Sequence, residues 1–267
     1  MKTSLLAILV VLLCGILWSG TADKAHKRPT EGEWIQLFNG EDLADWDIKI
    51  RGSEMGVNYK NTFRVEDGLL KVSYAEYDTF KEEFGHLFYK HPFSHYRLRV
   101  EYRFVGQQVP DGPGWAFRNN GLMVHSQSAR SMGLHQDFPI SLEAQLLGGA
   151  DEGARSTMNL CTPGSSVVMD GRFREEHCLD SRSETYRGDR WVTAEMVVRG
   201  DSVIHHIVEG DTVLTYSRPE MGGGAISGYD SEVYMEGQPM KSGYIAIQAE
   251  SHPTEFRKIE VMILDPD

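Results

Sequence analysis

Strict alternation of apolar and polar residues in HYRLRVEYRF, residues 95–104, constrains the fold of this chain more than any other feature. Side chains alternate faces along a β-strand, so this period of two predicts a strand with one buried and one polar face. The apolar face holds Tyr96, Leu98, Val100, Tyr102 and Phe104, and the polar face holds Arg97, Arg99, Glu101 and Arg103. Shorter runs recur in TFRVEDGLLKVS, WVTAEMVVRG, SVIHHIVEG and FRKIEVMIL, mostly separated by glycine-containing turns. The pattern predicts an all-β protein.

The N-terminus predicts export. An uninterrupted apolar run of 14 residues from Leu5 to Trp18 precedes small residues at Gly20 and Ala22, as in a signal peptide over residues 1–22. The run is shorter than the roughly 20 residues that span a bilayer, so we expect no membrane span in the mature chain. Leu12 and Leu13 lack the small side chains that lipoprotein cleavage before Cys14 requires, which argues against a lipid anchor. A linker over 23–32 and a single domain over 33–267 follow.

Charge and cysteine content narrow the partners and the compartment. Loss of the signal peptide removes Lys2 and no acid, which moves the net charge from −12 to −13. Such an acidic chain, without a basic stripe, is not expected to bind nucleic acid. The mature chain keeps only Cys161 and Cys178, and an even pair in an oxidising compartment predicts a disulfide. Two separate buried thiols are the alternative.

Two segments place polar side chains on predicted strands. In SLEAQLL, Ser141, Glu143 and Gln145 face away from Leu142, Ala144 and Leu146. In NGLMVHS the same alternation puts Gly121, Met123 and His125 opposite Leu122 and Val124. A base, a carboxylate and an amide could therefore meet on one sheet face, and we take His125, Glu143 and Gln145 as candidate catalytic residues. Candidate substrate-binding residues are Trp115, Arg118, Asn119, Asn120, Arg155, Gln248, Glu250 and His252.

No metal or other cofactor is expected. His205 and His206 are adjacent in a predicted strand, so they face opposite sides and cannot share a metal ion. Neither an HxH nor an HExxH motif nor an EF-hand loop occurs. Three long irregular stretches, about 126–138, 148–190 and 218–241, either wall a pocket or decorate the surface.

Several segments together resemble the 3-keto-disaccharide hydrolase family: EWIQLFNGEDLADW, GWAFRNNGLMVHSQ, SLEAQLLGG, RSTMNLCTPG and GYIAIQAESHPTEFRKIEVMIL. The resemblance covers nearly all of the chain after the first thirty or so residues. It implies a concanavalin A-like jelly roll, a sandwich of two antiparallel sheets, that acts on sugars whose 3-hydroxyl has been oxidised to a ketone. The first and last strands of a jelly roll usually finish in its sheets, so we expect them to lie close together. It also maps QAES, with Gln248 and Glu250, onto the family's glutamine-and-acid motif. Alternatively, Glu250 pairs with Arg257 at the strand end.

The ketone in such a substrate changes the catalytic requirement. It acidifies the hydrogen at C2, so one base, Glu143 or His125, suffices for an elimination that releases the group at C1 and is followed by addition of water. Gln145, Arg155 or Asn120 would stabilise the oxyanion. A conventional glycosidase needs two carboxyl groups, of which the second could be the distant Glu250. A non-catalytic carbohydrate-binding module is the third possibility.

Overall fold

The computed structural model describes residues 32–266. The predicted signal peptide with Cys14, and the predicted linker up to residue 31, lie outside the described residues. Seventeen strands lie within residues 32–266. They are β1 Trp34–Gln36, β2 Trp46–Ile50, β3 Phe63–Glu66, β4 Leu69–Val72, β5 Gly85–Tyr89, β6 His95–Phe104, β7 Asn119–Ser126, β8 Leu142–Leu147, β9 Asn159–Cys161, β10 Ser165–Met169, β11 Arg172–Arg174, β12 Cys178–Leu179, β13 Val192–Arg199, β14 Val203–Val208, β15 Asp211–Met221, β16 Tyr244–Ala249 and β17 Thr254–Ile263. Three single-turn 3₁₀ segments, Tyr59–Asn61, Gly114–Ala116 and Ala129–Ser131, lie between them.

The strands form two antiparallel sheets. The ten-stranded sheet has the order β11-β10-β15-β14-β13-β6-β17-β4-β3, and β1 pairs with β17. The seven-stranded sheet has the order β12-β9-β8-β7-β16-β5-β2. Trp34 lies opposite Met262, so the first and last strands do pair as predicted. The all-β, two-sheet jelly-roll prediction is confirmed.

The core lies between the two sheets. In β6 the burial alternates residue by residue, with Leu98 and Val100 fully buried and the intervening arginines partly exposed. From the seven-stranded sheet, Leu87, Leu122 and Ile247 join the same cluster. Burying these apolar side chains is the main force that holds the sheets together, at roughly 25 cal/mol per Å² of apolar area.

A second, smaller apolar cluster covers part of the other face of the seven-stranded sheet, which we call the outer face. Phe88, Met123 and Ala246 project there and pack against Ala129 and Met132 of the loop between β7 and β8. This loop is tightly hydrogen-bonded: the Gln136 amide donates to Phe138 O at 2.8 Å.

The irregular stretches are more ordered than the sequence suggests. Residues 148–190 contain the four short strands β9 to β12, and β15 continues to Met221. Very short strands carry too little alternation to be recognised in a sequence. None of the helices in residues 32–266 is long and apolar enough to cross a membrane.

Candidate active site on the outer face

Strand β8 carries the centre of the candidate site. Leu142, Ala144 and Leu146 point into the core, as predicted from their alternation. Glu143 and Gln145 therefore point to the outer face, where both line a cavity of about 350 Å³. That volume lies in the range of small-molecule pockets. The cavity is lined by Trp115, Phe138, Glu143, Gln145, Cys161, His177, Cys178 and Glu250.

The neighbouring strand makes room for the Glu143 carboxyl group. Gly121 in β7 lies opposite Gln145, and a methyl group on Gly121 would come within 2.5 Å of Glu143 Oε1. The carboxyl group thus occupies the volume that any other side chain at position 121 would need. Glu143 is only 5% exposed, and its Oε1 has no hydrogen-bond partner.

Glu250 supplies a second carboxyl group to the same cavity. It follows β16, is 3% exposed, and its Oε2 has no hydrogen-bond partner. Burial raises the pKa of Glu143, and burial together with the nearby charge of Glu143 raises the pKa of Glu250 well above its usual range. The guanidinium of Arg155 opposes part of this rise at Glu250. Two interacting buried carboxyl groups share protons as a pair, which suits acid–base chemistry. Arg257 instead pairs with Glu101, so the alternative Glu250–Arg257 ion pair is not formed.

His125 does not reach this cavity. Its backbone adopts a left-handed φ of 48°, and the pairing of β7 with β16 shifts register between Tyr244 and Ala246. The bulge directs the ring to Gly200, whose carbonyl oxygen lies 2.9 Å from Nε2. The predicted convergence of His125 with Glu143 is therefore wrong, because alternation holds only where both strands advance residue for residue.

Arg155 lies beside the cavity, and its guanidinium group is hydrogen-bonded to backbone carbonyl oxygens. Its guanidinium donates to the carbonyl oxygens of Phe117, Gly148 and Trp115. These bonds hold the segment that carries Trp115, so the geometry favours a positioning role over the direct contact with substrate that we predicted.

The other predicted binding residues lie outside the cavity lining. Asn120 donates to Gln248 O and accepts from Gly121 N, and Asn119 donates to Trp115 O. Arg118 donates to Gly149 O. His252 packs edge-on between Phe104 and Phe117, with both ring nitrogens unpaired. Gln248 is fully buried. Of the predicted binding residues, Trp115 and Glu250 line the cavity.

An aromatic wall borders the cavity. Trp115 is 53% exposed and stacks on Phe84 with ring centroids 5.9 Å apart. Phe84 in turn contacts Phe138 at 5.0 Å. Phe138 lies in a loop without a repeating pattern, so nothing in the sequence marks it as a lining residue. One face of Trp115 is supported while the side chain stays accessible, as in a stacking platform.

A disulfide forms another wall. Cys161 and Cys178 lie opposite each other in β9 and β12, with Cα atoms 4.1 Å apart, and are bonded as predicted. Cys161 is also opposite Glu143 in β8. Within residues 32–266, Cys161, His177 and Cys178 form one group of potential metal ligands within 4.8 Å. Because both sulfurs are in the disulfide, they are not the thiolates that a metal site needs.

The fold and this cavity define a class: two-sheet jelly-roll sandwiches with a pocket on an outer sheet face. Residues 33–262 match the model of the 3-keto-α-glucoside-1,2-lyase-like domain family. The chain belongs to this family, as its sequence resemblance indicated, and the family indicates a carbohydrate-related function.

Solved structures share the fold at low sequence identity. Two crystal structures of a proposed glycosyl hydrolase from Parabacteroides distasonis each superpose with a TM-score of 0.51 at 15% identity over 87% of this chain. The match covers 100% of one of those chains and 94% of the other. At this identity the likeness shows the fold alone. No curated protein sequence matches the chain.

Proposed function

We propose that this protein cleaves the glycosidic bond of 3-keto-glycosides by elimination followed by hydration. The observation that carries the proposal is the pair of buried carboxyl groups, Glu143 and Glu250, on one aromatic-lined cavity of a chain in this family. Burial raises the pKa of both groups, and a charge on Glu143 raises that of Glu250 further, so loss of the first proton from the pair holds the second in place. This supports a pair with one ionised and one protonated member once the first proton is lost. The pair thus offers both a base and an acid.

The two carboxyl groups supply the base and the acid that the elimination needs. The ionised carboxylate removes the proton from C2, and the electron pair of that bond forms an enolate with the C3 ketone. Collapse of the enolate makes a C1–C2 double bond and breaks the bond between C1 and the leaving oxygen, which takes the proton of the other carboxyl group. Water then adds across the double bond, with its hydroxyl at C1 and a proton at C2. Glu143 is our choice for the base, because it lines the cavity from the same strand as Gln145, the candidate oxyanion donor.

Gln145 is our candidate for stabilising the enolate. Its Oε1 accepts from Asn159 Nδ2 at 3.5 Å, and Asn159 is itself fixed by Ser156 Oγ and Ser181 N. This arrangement leaves the amide NH₂ of Gln145 as a donor toward the cavity. A preorganised donor at a developing oxyanion is among the strongest contributions to catalysis.

The first test compares a 3-keto-disaccharide with the unoxidised disaccharide, using purified mature protein. We expect cleavage of the keto sugar alone. Glu143→Gln should lower kcat by about 10²- to 10⁴-fold, as removal of a positioned acid or base does, with little change in binding. Glu152→Gln, at an exposed position outside the cavity, is the matched control and should keep full activity. Unchanged turnover in Glu143→Gln would contradict the proposal, and retained sugar binding without turnover in the unsubstituted protein would favour a binding module.

The same pair of acids favours a second candidate, a conventional glycosidase. Such enzymes use one carboxyl group as acid and another as nucleophile or base, and Glu250 brings the second group that β8 itself lacks. Rapid hydrolysis of an unoxidised glycoside, abolished in both Glu143→Gln and Glu250→Gln, would support this candidate.

We also propose that the protein works outside the cytoplasm. The Cys161–Cys178 disulfide supports an oxidising compartment, in agreement with the signal peptide predicted over residues 1–22. N-terminal sequencing of the secreted protein should begin near residue 23. Cytoplasmic protein that retains Met1 would contradict this.

A further inference from the structure

A row of buried polar side chains crosses the outer face beside the cavity. Lys49 in β2 lies opposite His86 in β5, and His86 lies opposite Gln248 in β16. The ammonium group of Lys49 has hydrogen-bond partners, because its Nζ donates to Ser53 O at 2.7 Å and to Leu134 O at 3.2 Å. His86 and Gln248 are fully buried, yet both imidazole nitrogens and both amide atoms lack any partner.

Such unpaired groups need an explanation, because a buried donor or acceptor without a partner destabilises the folded state. His206 shows what the same fold does with a purely structural histidine. It is equally buried, and its nitrogens lie 2.9 Å from Met158 O and 3.1 Å from Tyr216 Oη. The polar atoms of His86 and Gln248 have no such structural use.

Both residues adjoin the cavity. The ring of Phe138, which lines the cavity, stands edge-on to the His86 ring at 6.0 Å. Gln248 lies two residues before Glu250. Continuing the β16–β7 register by one residue beyond the Ile247–Leu122 pair sets Gln248 opposite Gly121, the position whose free volume holds the Glu143 carboxyl group. His86 thus lies behind Phe138, and Gln248 lies beside the volume that the Glu143 carboxyl group fills.

The chemistry of the two side chains suits a neutral, polyhydroxylated ligand. Burial, with the ammonium group of Lys49 nearby, lowers the pKa of His86 to about 3, so the ring is neutral near pH 7 with one donor and one acceptor. The Gln248 amide adds two donors and one acceptor. Adjacent hydroxyl and carbonyl oxygens of a sugar ring match this set.

We propose that His86 and Gln248 are substrate-binding residues that hydrogen-bond neighbouring oxygens of the sugar ring when the Phe138 ring turns aside. This inference rests on the proposed function and deepens it, because it names the groups that recognise the ring rather than cleave it. Neither residue takes part in proton transfer.

The test uses apolar replacements, His86→Phe and Gln248→Met, with His206→Phe as the matched control. Binding of a 3-keto-disaccharide is measured by calorimetry in the Glu143→Gln background, so that turnover does not interfere, and Tm is measured in the same proteins. We expect His86→Phe and Gln248→Met to keep or raise Tm, because removing a buried polar atom without a partner removes a destabilising contribution. The same variants should bind the sugar about tenfold more weakly or worse. His206→Phe should lower Tm and leave affinity unchanged.

Lower Tm in both apolar variants with unchanged affinity would overturn the inference, because it would assign the two side chains a structural role. If His86→Phe does not fold, the smaller His86→Leu replaces it, and failure of both to fold also overturns the inference. Absence of both binding and cleavage in protein with His86 and Gln248 intact would overturn the proposed function as well. If His86→Phe and Gln248→Met lower kcat but leave substrate binding unchanged, the inference is contradicted and the proposed function is not.

Discussion

The position of the Glu143 carboxyl group depends directly on the glycine at residue 121. A Cβ there would lie 2.5 Å from Glu143 Oε1 and 2.9 Å from Cδ, so Gly121→Ala must displace the carboxyl group. We expect a loss of turnover similar to that of Glu143→Gln and a cost of about 1–3 kcal/mol in the free energy of unfolding. Gly224→Ala, where a Cβ meets nothing within 4 Å, should change neither quantity. Kinetics and urea unfolding of the two variants provide the check, and an active Gly121→Ala protein would contradict the geometry.

The raised pKa of Glu143 also makes a prediction about stability. A carboxyl group whose pKa is higher in the folded than in the unfolded protein contributes stability below its unfolded value, near 4.5, and loses it as pH rises toward the folded value. Unfolding of the wild-type protein should therefore become easier from about pH 5 upward. Glu143→Gln should flatten this slope by up to about 1.4 kcal/mol per pH unit, the value for one proton.

Denaturant unfolding at several pH values, with Glu152→Gln as control, measures this slope. The advantage of Glu143→Gln over the wild type should be absent near pH 4 and grow toward pH 8. A Glu143→Gln protein that is less stable than the wild type at pH 8 would show that the carboxylate is well paired in the folded state, contrary to its unpaired Oε1.

Single residues also show where sequence reasoning holds. The direction of Glu143 follows from alternation within an uninterrupted strand, and it was predicted correctly. The direction of His125 was not, because a bulge at its left-handed backbone breaks the alternation. Nothing in NGLMVHS marks that bulge, since a histidine has no special preference for it.

At the scale of elements, the sequence analysis missed β2 and β5, and with them Lys49 and His86. Strand β5, GHLFY, is buried on both faces apart from its last residue, so it shows no alternation. WDIKI in β2 does alternate, but five residues give a weak signal by themselves. Strands that are short or buried on both faces are thus the elements that a search for alternation overlooks.

The β9–β12 pair is the element whose stability depends on the disulfide. The bond joins residues 17 apart in sequence and closes a loop that should contribute about 3 kcal/mol. A Cys161→Ala/Cys178→Ala double variant should melt about 6–12 °C lower, given about 2–4 °C per kcal/mol for a chain of this size. Calorimetry under non-reducing conditions measures the shift, with reduced wild-type protein as the control. An unchanged Tm would show that β12 is held by its packing alone.

For the whole molecule, the fold class could be predicted because most strands alternate clearly and glycine turns separate them. The assembled site could not, because the cavity joins residues from β8, β9 and β12, the end of β16 and three connecting segments that are far apart in sequence. The order β12-β9-β8-β7-β16-β5-β2 is what brings Glu250 to Glu143, and alternation within a strand does not reveal which strands are neighbours.

The central claim is that cleavage passes through loss of the C2 proton, and a C2-deuterated 3-keto-disaccharide tests it most directly. The paired carboxyl groups and the ketone predict that deuterium at C2 slows cleavage and that the hydrated product has exchanged its label with solvent, as followed by NMR and mass spectrometry. Cleavage at an unchanged rate, with the deuterium fully retained at C2 of the product, would contradict the account.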